Sequence, residues 1–322
     1  MSDAYVGVDI GGTKVAVAVL RDGELAHHDI RPTAVAGSDA LIDEICALVD
    51  SVRDDDVRGV GVGVPSVIDF DAGRIRTSVN VPLADLPLRS VLADRIGLPV
   101  FLDNDATVAA LAEASSGARI EVANLVMLTV GTGVGGGLVL NGAPYRGATG
   151  AAAELGHMMV AAGRREASSE PGGFPRHGSL ESLASGRALD HLAAEAAEQH
   201  PESAVGRARA AGEPVDGHLV VTAAGAGDEV AVELLASLGS WLGIGVANVI
   251  NALDPDVVAI GGGVSVAGEL LLEPARRTAR EYILPGVGTK TEIRRSKHGP
   301  TAGVLGAAIL AKEEMKGREE AR

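Results

Sequence analysis

Asp9, Gly11 and Gly12 stand between two apolar runs in VGVDIGGTKVAVAVL, residues 6–20. Glycine carries no side chain, so an anion can approach the backbone N–H groups of such a turn closely. On this segment alone, a phosphate site and a plain hairpin with a glycine turn stand level. A second segment alters the balance. LTVGTGVGGGLVLNGAPY, residues 128–145, has the same build: an apolar run, a Gly/Thr turn, a second apolar run and a turn dipeptide. Setting Asp9 against Thr129 brings Gly11 onto Gly131, Val19 onto Val139 and Leu20 onto Leu140. Two glycine-mouthed hairpins imply a duplicated architecture with a ligand between the halves.

Two familiar nucleotide motifs fail here. Gly131, Gly133 and Gly136 satisfy GxGxxG, but a dinucleotide site needs that motif to open a helix, and GLVLNG reads as a strand. Gly7 and Gly12 begin like a P-loop, yet Thr13-Lys14 stands where Lys-Ser/Thr is required. What remains is a pair of phosphate-gripping hairpins with one carboxylate at the first.

The elements that must carry these groups follow from patterning. Tyr5–Val8 and the valine-rich Val15–Leu20 predict strands, with Asp22-Gly23 as a hairpin turn. Residues 38–53 place Leu41, Ile42, Ile45, Leu48, Val49 and Val52 at helical spacing, with Ser38 as the expected N-cap. RGVGVGVPSVID predicts a strand pressed closely against a neighbour, and LPVFLDNDATVAALAEASSG a strand turning helical after Asp105. Residues 161–178 read as a mobile polar loop, and Ser182 to about Leu253 as mostly helical. A strand after Asp254, a helix around GELLLEPARRTAR and a frayed charged helix at the end complete the chain.

Composition narrows the function. The 322 residues are 46% hydrophobic but only 2% aromatic, so the core must be built from aliphatic side chains. A formal charge of −15 argues against nucleic acid and against an anionic membrane surface. The single cysteine, Cys46, excludes an internal disulfide. No signal-peptide pattern opens the chain, and no apolar run reaches membrane-spanning length, so a soluble cytoplasmic protein is expected.

VDIGGTK, LDNDATVAALAEA, TVGTGVGGGLVLNGAPYRGATGAAAELGH, GSLESLASG and NVINALDPDVVAIGGGVSVAG occur in that order between Val6 and about Ala311. Together they resemble the ROK family (repressor, open reading frame, kinase), and most closely its bacterial-type glucokinases. The resemblance implies an α/β, duplicated actin-like ATPase fold of the sugar kinase, Hsp70 and actin type, with two domains around a central cleft. A small domain of residues 1–118 plus 300–322 and a large domain of 119–299 are expected, closing on sugar. It implies that Gly11, Gly12 and Thr13, with Lys14 beside them, form a first phosphate loop, and that Asp9 orients Mg²⁺ through water. Gly131, Thr132 and Gly133 would form the second loop, and Gly261, Gly262 and Gly263 would sit near the adenosine of ATP. Asp105 would be the general base, although Asp105 also reads as the cap of a helix beginning at Ala106. Asn80, Asn104, Glu154, His157 and Glu181 would bind sugar hydroxyls, for which carboxylates are suited as charged acceptors. For His157 a structural histidine, and for Glu181 an exposed helical charge, are the plain alternatives.

The sequence also departs from its family. Many members bind zinc through the histidine of GH and three cysteines; the cysteine positions here hold Gly172, Phe174 and Ser179. No structural zinc is expected, since His157 and His177 do not make a closed tetrahedral site. The family's repressors carry a helix-turn-helix before the first phosphate motif, which here begins at Val6. The implied activity is ATP-dependent phosphorylation of glucose at its 6-hydroxyl. Kinases for N-acetylmannosamine, N-acetylglucosamine or fructose, and a sugar-binding regulator of weak activity, are the rivals. A homodimer is implied by resemblance alone.

Overall fold

The computed structural model describes residues 2–78, 81–161 and 173–320. They form two compact units. Unit 1 comprises Met1–Met127, Gly137–Ala153 and Lys297–Arg322; unit 2 comprises Leu128–Gly136 and Glu154–Ser296.

Strands β1 (Ala4–Ile10), β2 (Lys14–Arg21), β3 (Glu24–Pro32), β4 (Val57–Val64) and β7 (Val100–Asn104) form one sheet in the order β3-β2-β1-β4-β7. The first three are antiparallel neighbours, whereas β4 runs parallel to β1 and β7 parallel to β4. Asp22 and Gly23 both take positive φ, 51° and 87°, as the two-residue turn between right-twisted strands demands. A small hairpin of β5 (Ser66–Asp69) and β6 (Arg74–Ser78) stands apart. The second five-stranded sheet has the order β10-β9-β8-β11-β12, with β8 Leu125–Val130, β9 Val134–Leu140, β10 Ala143–Pro144, β11 Val257–Gly261 and β12 Glu292–Arg295. Each sheet therefore holds three chain-consecutive strands in reverse order followed by two later ones, which is the duplication expected from the motif repeat.

In unit 1, Gly61, the middle one of β4's alternating glycines, receives helix α10 (Ala302–Glu320) at backbone distance. A Cβ on Gly61 would lie 1.7 Å from the carbonyl oxygen of Ala307, and one on Gly306 would lie 1.6 Å from that of Val108. Val108 belongs to α3 (Asp105–Ala114), so sheet, α10 and α3 are locked by contacts no larger residue permits. Helix α1 (Ser38–Val52) buries Leu41, Ile42, Ile45, Leu48 and Val49 in the same core. Its N-cap is Gly37, with no side-chain cap bond, and not Ser38.

Unit 2 carries α4 (Leu180–Ala184), α5 (Gly186–Gln199), α6 (Ala204–Ala211), α7 (Gly217–Gly225), α8 (Glu229–Leu253) and α9 (Glu269–Tyr282). Helix α8 corrects one expectation, for its 25 residues are long and apolar enough to cross a membrane by length and composition. Half of its most apolar window is buried inside the protein. A Cβ on Gly239 would lie 2.5 Å from the carbonyl of Leu271, and one on Gly243 2.4 Å from that of Ala275, so α9 packs directly on this glycine face. Its apolarity serves a core helix.

Candidate active site

In unit 1, Asp9 sits at the end of β1, where the chain turns into β2. The turn is closed by the Gly11 N–H donating to the Lys14 carbonyl at 2.8 Å. Thr33, just past β3, grips it from outside: its hydroxyl donates to the Gly11 carbonyl at 2.7 Å, and its N–H to the Thr13 carbonyl at 3.0 Å. Gly12, Thr13 and Lys14 are left exposed on a fixed loop.

The Asp9 carboxylate is half-buried among glycines. A Cβ on Gly303, in the first turn of α10, would stand 2.3 Å from Asp9 Oδ2. A Cβ on Gly63 would stand 3.7 Å from Asp9 Oδ1 and 3.7 Å from the Asp105 Cα. Burial, and then the charge of Asp105, push the Asp9 carboxyl up to about 6, while Lys14 opposes the rise. The hard carboxylate of Asp9 beside an exposed backbone loop fits Mg²⁺, a cation commonly held by one or two carboxylates together with substrate phosphates.

Asn104 ends β7 and caps α3: its Oδ1 accepts from the N–H groups of Ala106 at 2.9 Å and Thr107 at 3.4 Å. The helix begins at Asp105, so the cap expected of Asp105 belongs to its neighbour. The Asp105 Oδ1 accepts from the N–H of Ala106 at 2.9 Å. Behind this pair, the side chain of Asp103 is 1% exposed and ion-paired to Arg146 at 2.8 Å. Nothing local in the sequence marks that pair, because its members lie 43 residues apart.

In unit 2, the mouth of the second hairpin is closed by the Gly131 N–H donating to the Gly133 carbonyl at 2.9 Å. The first residue of α5, Gly186, donates to the Gly131 carbonyl at 2.7 Å. Glu181 is not a solvated helical charge: it is half-buried, and its Oε2 accepts from the Val134 N–H at 2.8 Å. A Cβ on Gly156 would lie 2.1 Å from the Val134 carbonyl, which brings the short helical turn Leu155–His157 onto the same strand. Glu154, His157, Glu181 and the loop at 131–133 are thus gathered around Val134. His157 Nε2 lies 3.7 Å from Glu154 Oε2, and its ring meets the edge of Phe174 at 5.3 Å.

Beside the second loop opens a cavity of about 350 Å³ lined by Gly131, Thr132 and Gly263 together with Asp190, Asp216, Val264 and Val266. Gly262, at φ 83°, presses against Val130: a Cβ there would lie 2.4 Å from the Val130 carbonyl. Gly261 ends the buried strand β11. The expected adenosine glycines therefore adjoin the expected phosphate loop.

Asn80, Gly172 and most of the loop expected at 161–178 lie outside the described residues. Phe174 is exposed, and Ser179 is fully buried as the N-cap of α4. Among the described residues, no three His, Cys, Asp or Glu side chains cluster as metal ligands.

A family model described as the ROK family matches residues 5–314. The chain is 37% identical to a glucokinase of Halalkalibacterium halodurans, covering 99% of this chain and 98% of that one. It is 35% identical to a glucokinase of Thermotoga maritima, covering 97% and 98%. A solved ROK family glucokinase from Streptomyces griseus, in complex with glucose and AMPPNP, superposes with a TM-score of 0.79 at 33% identity, covering 96% of this chain and 99% of that one.

Proposed function

The chain belongs to the ROK family, and from that premise we propose that it transfers the γ-phosphoryl group of ATP to the 6-hydroxyl of glucose. The observation that carries the reading is the pairing of Asp9 with Asp105 beside the fixed loop at 11–13, where burial and then the charge of Asp105 raise the Asp9 carboxyl. One serves the cation and one the proton. Asp105 accepts the hydroxyl proton as the sugar oxygen attacks phosphorus in line. The N–H groups of the loops at 11–13 and 131–133 supply fixed partial positive charge to the phosphates. Asn104, Glu154, His157 and Glu181, with Asn80, hold the ring hydroxyls. Mg²⁺ bound near Asp9 would neutralise phosphate charge.

The cavity beside the second loop supports a nucleotide as donor. Its carboxylates, Asp190 and Asp216, can accept hydrogen bonds from a nucleoside, and Arg187 and His218 line the same space. Val264 and Val266 offer apolar surface to a base. The composition, with its single cysteine, supports a cytoplasmic enzyme, and resemblance implies a homodimer.

The test is ADP release by the purified protein with ATP and a panel of hexoses and aminosugars, with the product's phosphate located by ³¹P NMR. Glucose is expected to give the highest kcat/KM. Sugar binding without turnover of any sugar would favour a regulatory protein instead.

A further inference from the structure

Arg146 makes three side-chain contacts within unit 1. Its Nε donates to Asp103 Oδ2 at 2.8 Å, its Nη2 donates to Glu314 Oε1 on α10 at 2.9 Å, and its guanidinium lies 4.8 Å over the Phe70 ring. Its own carbonyl accepts from the Ala152 N–H at 3.1 Å, folding the glycine-rich segment that follows back on it. Asp103 in turn uses its second oxygen: Oδ1 accepts from the Asn104 N–H at 2.8 Å. The carboxylate is therefore a clamp with Arg146 on one side and the peptide leading into Asn104-Asp105 on the other.

That peptide needs a clamp. Strand β7 is the last strand of its sheet, hydrogen-bonded to β4 along one side only, and Asn104 is its terminal residue. A buried ion pair is a poor device for stability, because desolvation of both charges offsets most of their attraction. Its strength is direction: a planar guanidinium presents its donors in a fixed fork, and here the fork spans from Asp103 to α10. The same α10 carries Gly303 against Asp9. One side chain thus ties the strand end bearing Asn104-Asp105 to the helix that packs on Asp9.

We propose that Arg146 is a positioning residue for phosphoryl transfer, holding through Asp103 the strand end that presents Asn104 and Asp105 to the reacting groups. The proposal rests on the sugar-kinase reading above. It separates position from stability, and one pair of variants can tell these apart. Arg146→Met leaves the Asp103 charge buried without its partner and is expected to lower both the melting temperature and kcat. Asp103→Asn combined with Arg146→Met removes both charges, so no buried ion remains, but the clamp stays broken.

The expected result for the double variant is a melting temperature near that of the wild type with kcat still down about tenfold to hundredfold, the scale of a misplaced catalytic group, while the sugar KM changes less than about threefold. The backbone amide resonances of Asn104, Asp105 and Ala106 are expected to move in both variants. Recovery of kcat together with melting temperature in the double variant would overturn the proposal and leave Arg146 a stabilising residue. Amide resonances unmoved at 104–106 would overturn it as well, whatever the activity. A wild-type protein that turns over no sugar would instead sink the kinase reading, and the amide resonances would still report whether Arg146 holds the strand end.

Discussion

Glu181 Oε2 accepts a hydrogen bond from the Val134 N–H at 2.8 Å, and the same oxygen stands 2.4 Å from where a Cβ on Gly133 would lie. The expected second phosphate loop and one expected sugar ligand are thereby a single mechanical piece. A methyl group at 133 meets the far end of a long side chain, so the fold can accommodate it, but Glu181 must move. Gly133→Ala is expected to shift the melting temperature by no more than about 3 °C, as a minor surface change does. It should raise the sugar KM about tenfold, the effect of displacing one charged hydrogen-bond acceptor. Steady-state kinetics beside a thermal melt checks this; an unchanged KM would separate the loop from sugar binding.

Much of this was legible because the governing signals are local. The Asp22-Gly23 turn, the strand from Val57 to Val64 with its glycines against α10, and the helices after Ser182 each follow from spacing within a short window. The repeated hairpins exposed the duplication. Other features were hidden for equally physical reasons. Strand β12, Glu292–Arg295, is mostly charged and carries no alternation of its own; it is held by β11. The N-cap of α1 fell to Gly37 because a backbone carbonyl suffices there, accepting from the Leu41 N–H at 3.2 Å. The link from Asp103 through Arg146 to Glu314 joins three distant parts of the chain, so no sequence window contains it.

Asp105→Asn keeps the size of the side chain and leaves the α3 cap intact, since Asn104 supplies that cap. Removing only the proton acceptor is expected to lower kcat by about 10²-fold or more with a modest change in sugar affinity. Single-turnover measurements check the chemical step directly. Near-normal turnover would assign the proton to another group.

Asp9 couples stability to pH in a direction opposite to that of most carboxylates. Its pKa is raised from 3.8 to about 6 in the folded protein, by burial first and Asp105 second. Between those values the folded state binds the extra proton, so stability falls as pH rises through about 4 to 6, and the cost is fully present above 6. That cost is at most about 3 kcal/mol, from a shift of roughly two units. Asp9→Asn is therefore expected to melt several degrees higher than the wild type at pH 8, with the gain shrinking toward pH 4. The same variant should lose most of its activity, and the wild type's apparent Mg²⁺ requirement should rise as pH falls below 6, where protons compete for Asp9. Melting curves and Mg²⁺ titrations at several pH values check both signs; a variant less stable at pH 8 would contradict the burial of an ionised Asp9.

The last prediction concerns metal, because Gly172, Phe174 and Ser179 stand at the positions expected of the family's zinc cysteines. A structural zinc contributes folding free energy directly, and chelators unfold proteins that depend on it. Here two of the three cysteine positions have other work. Ser179 caps α4, its Oγ accepting from the Ser182 N–H at 3.3 Å, and Phe174 meets the His157 ring edge to face while Arg176 lies 5.3 Å over the Phe174 ring. Aromatic pairing of this kind supplies about 0.5–1.5 kcal/mol, enough to orient a half-exposed histidine. Phe174→Ala is therefore expected to raise the sugar KM several-fold while leaving the melting temperature nearly unchanged. The purified protein is expected to carry no stoichiometric zinc, and EDTA to leave its melting temperature where it was. EDTA should abolish activity by removing the Mg²⁺ that accompanies ATP, and excess Mg²⁺ should restore it. Elemental analysis finding one tightly held zinc per chain would sink this. His177, whose buried Nε2 has no hydrogen-bond partner among the described residues, would then be the first ligand to examine beside His157.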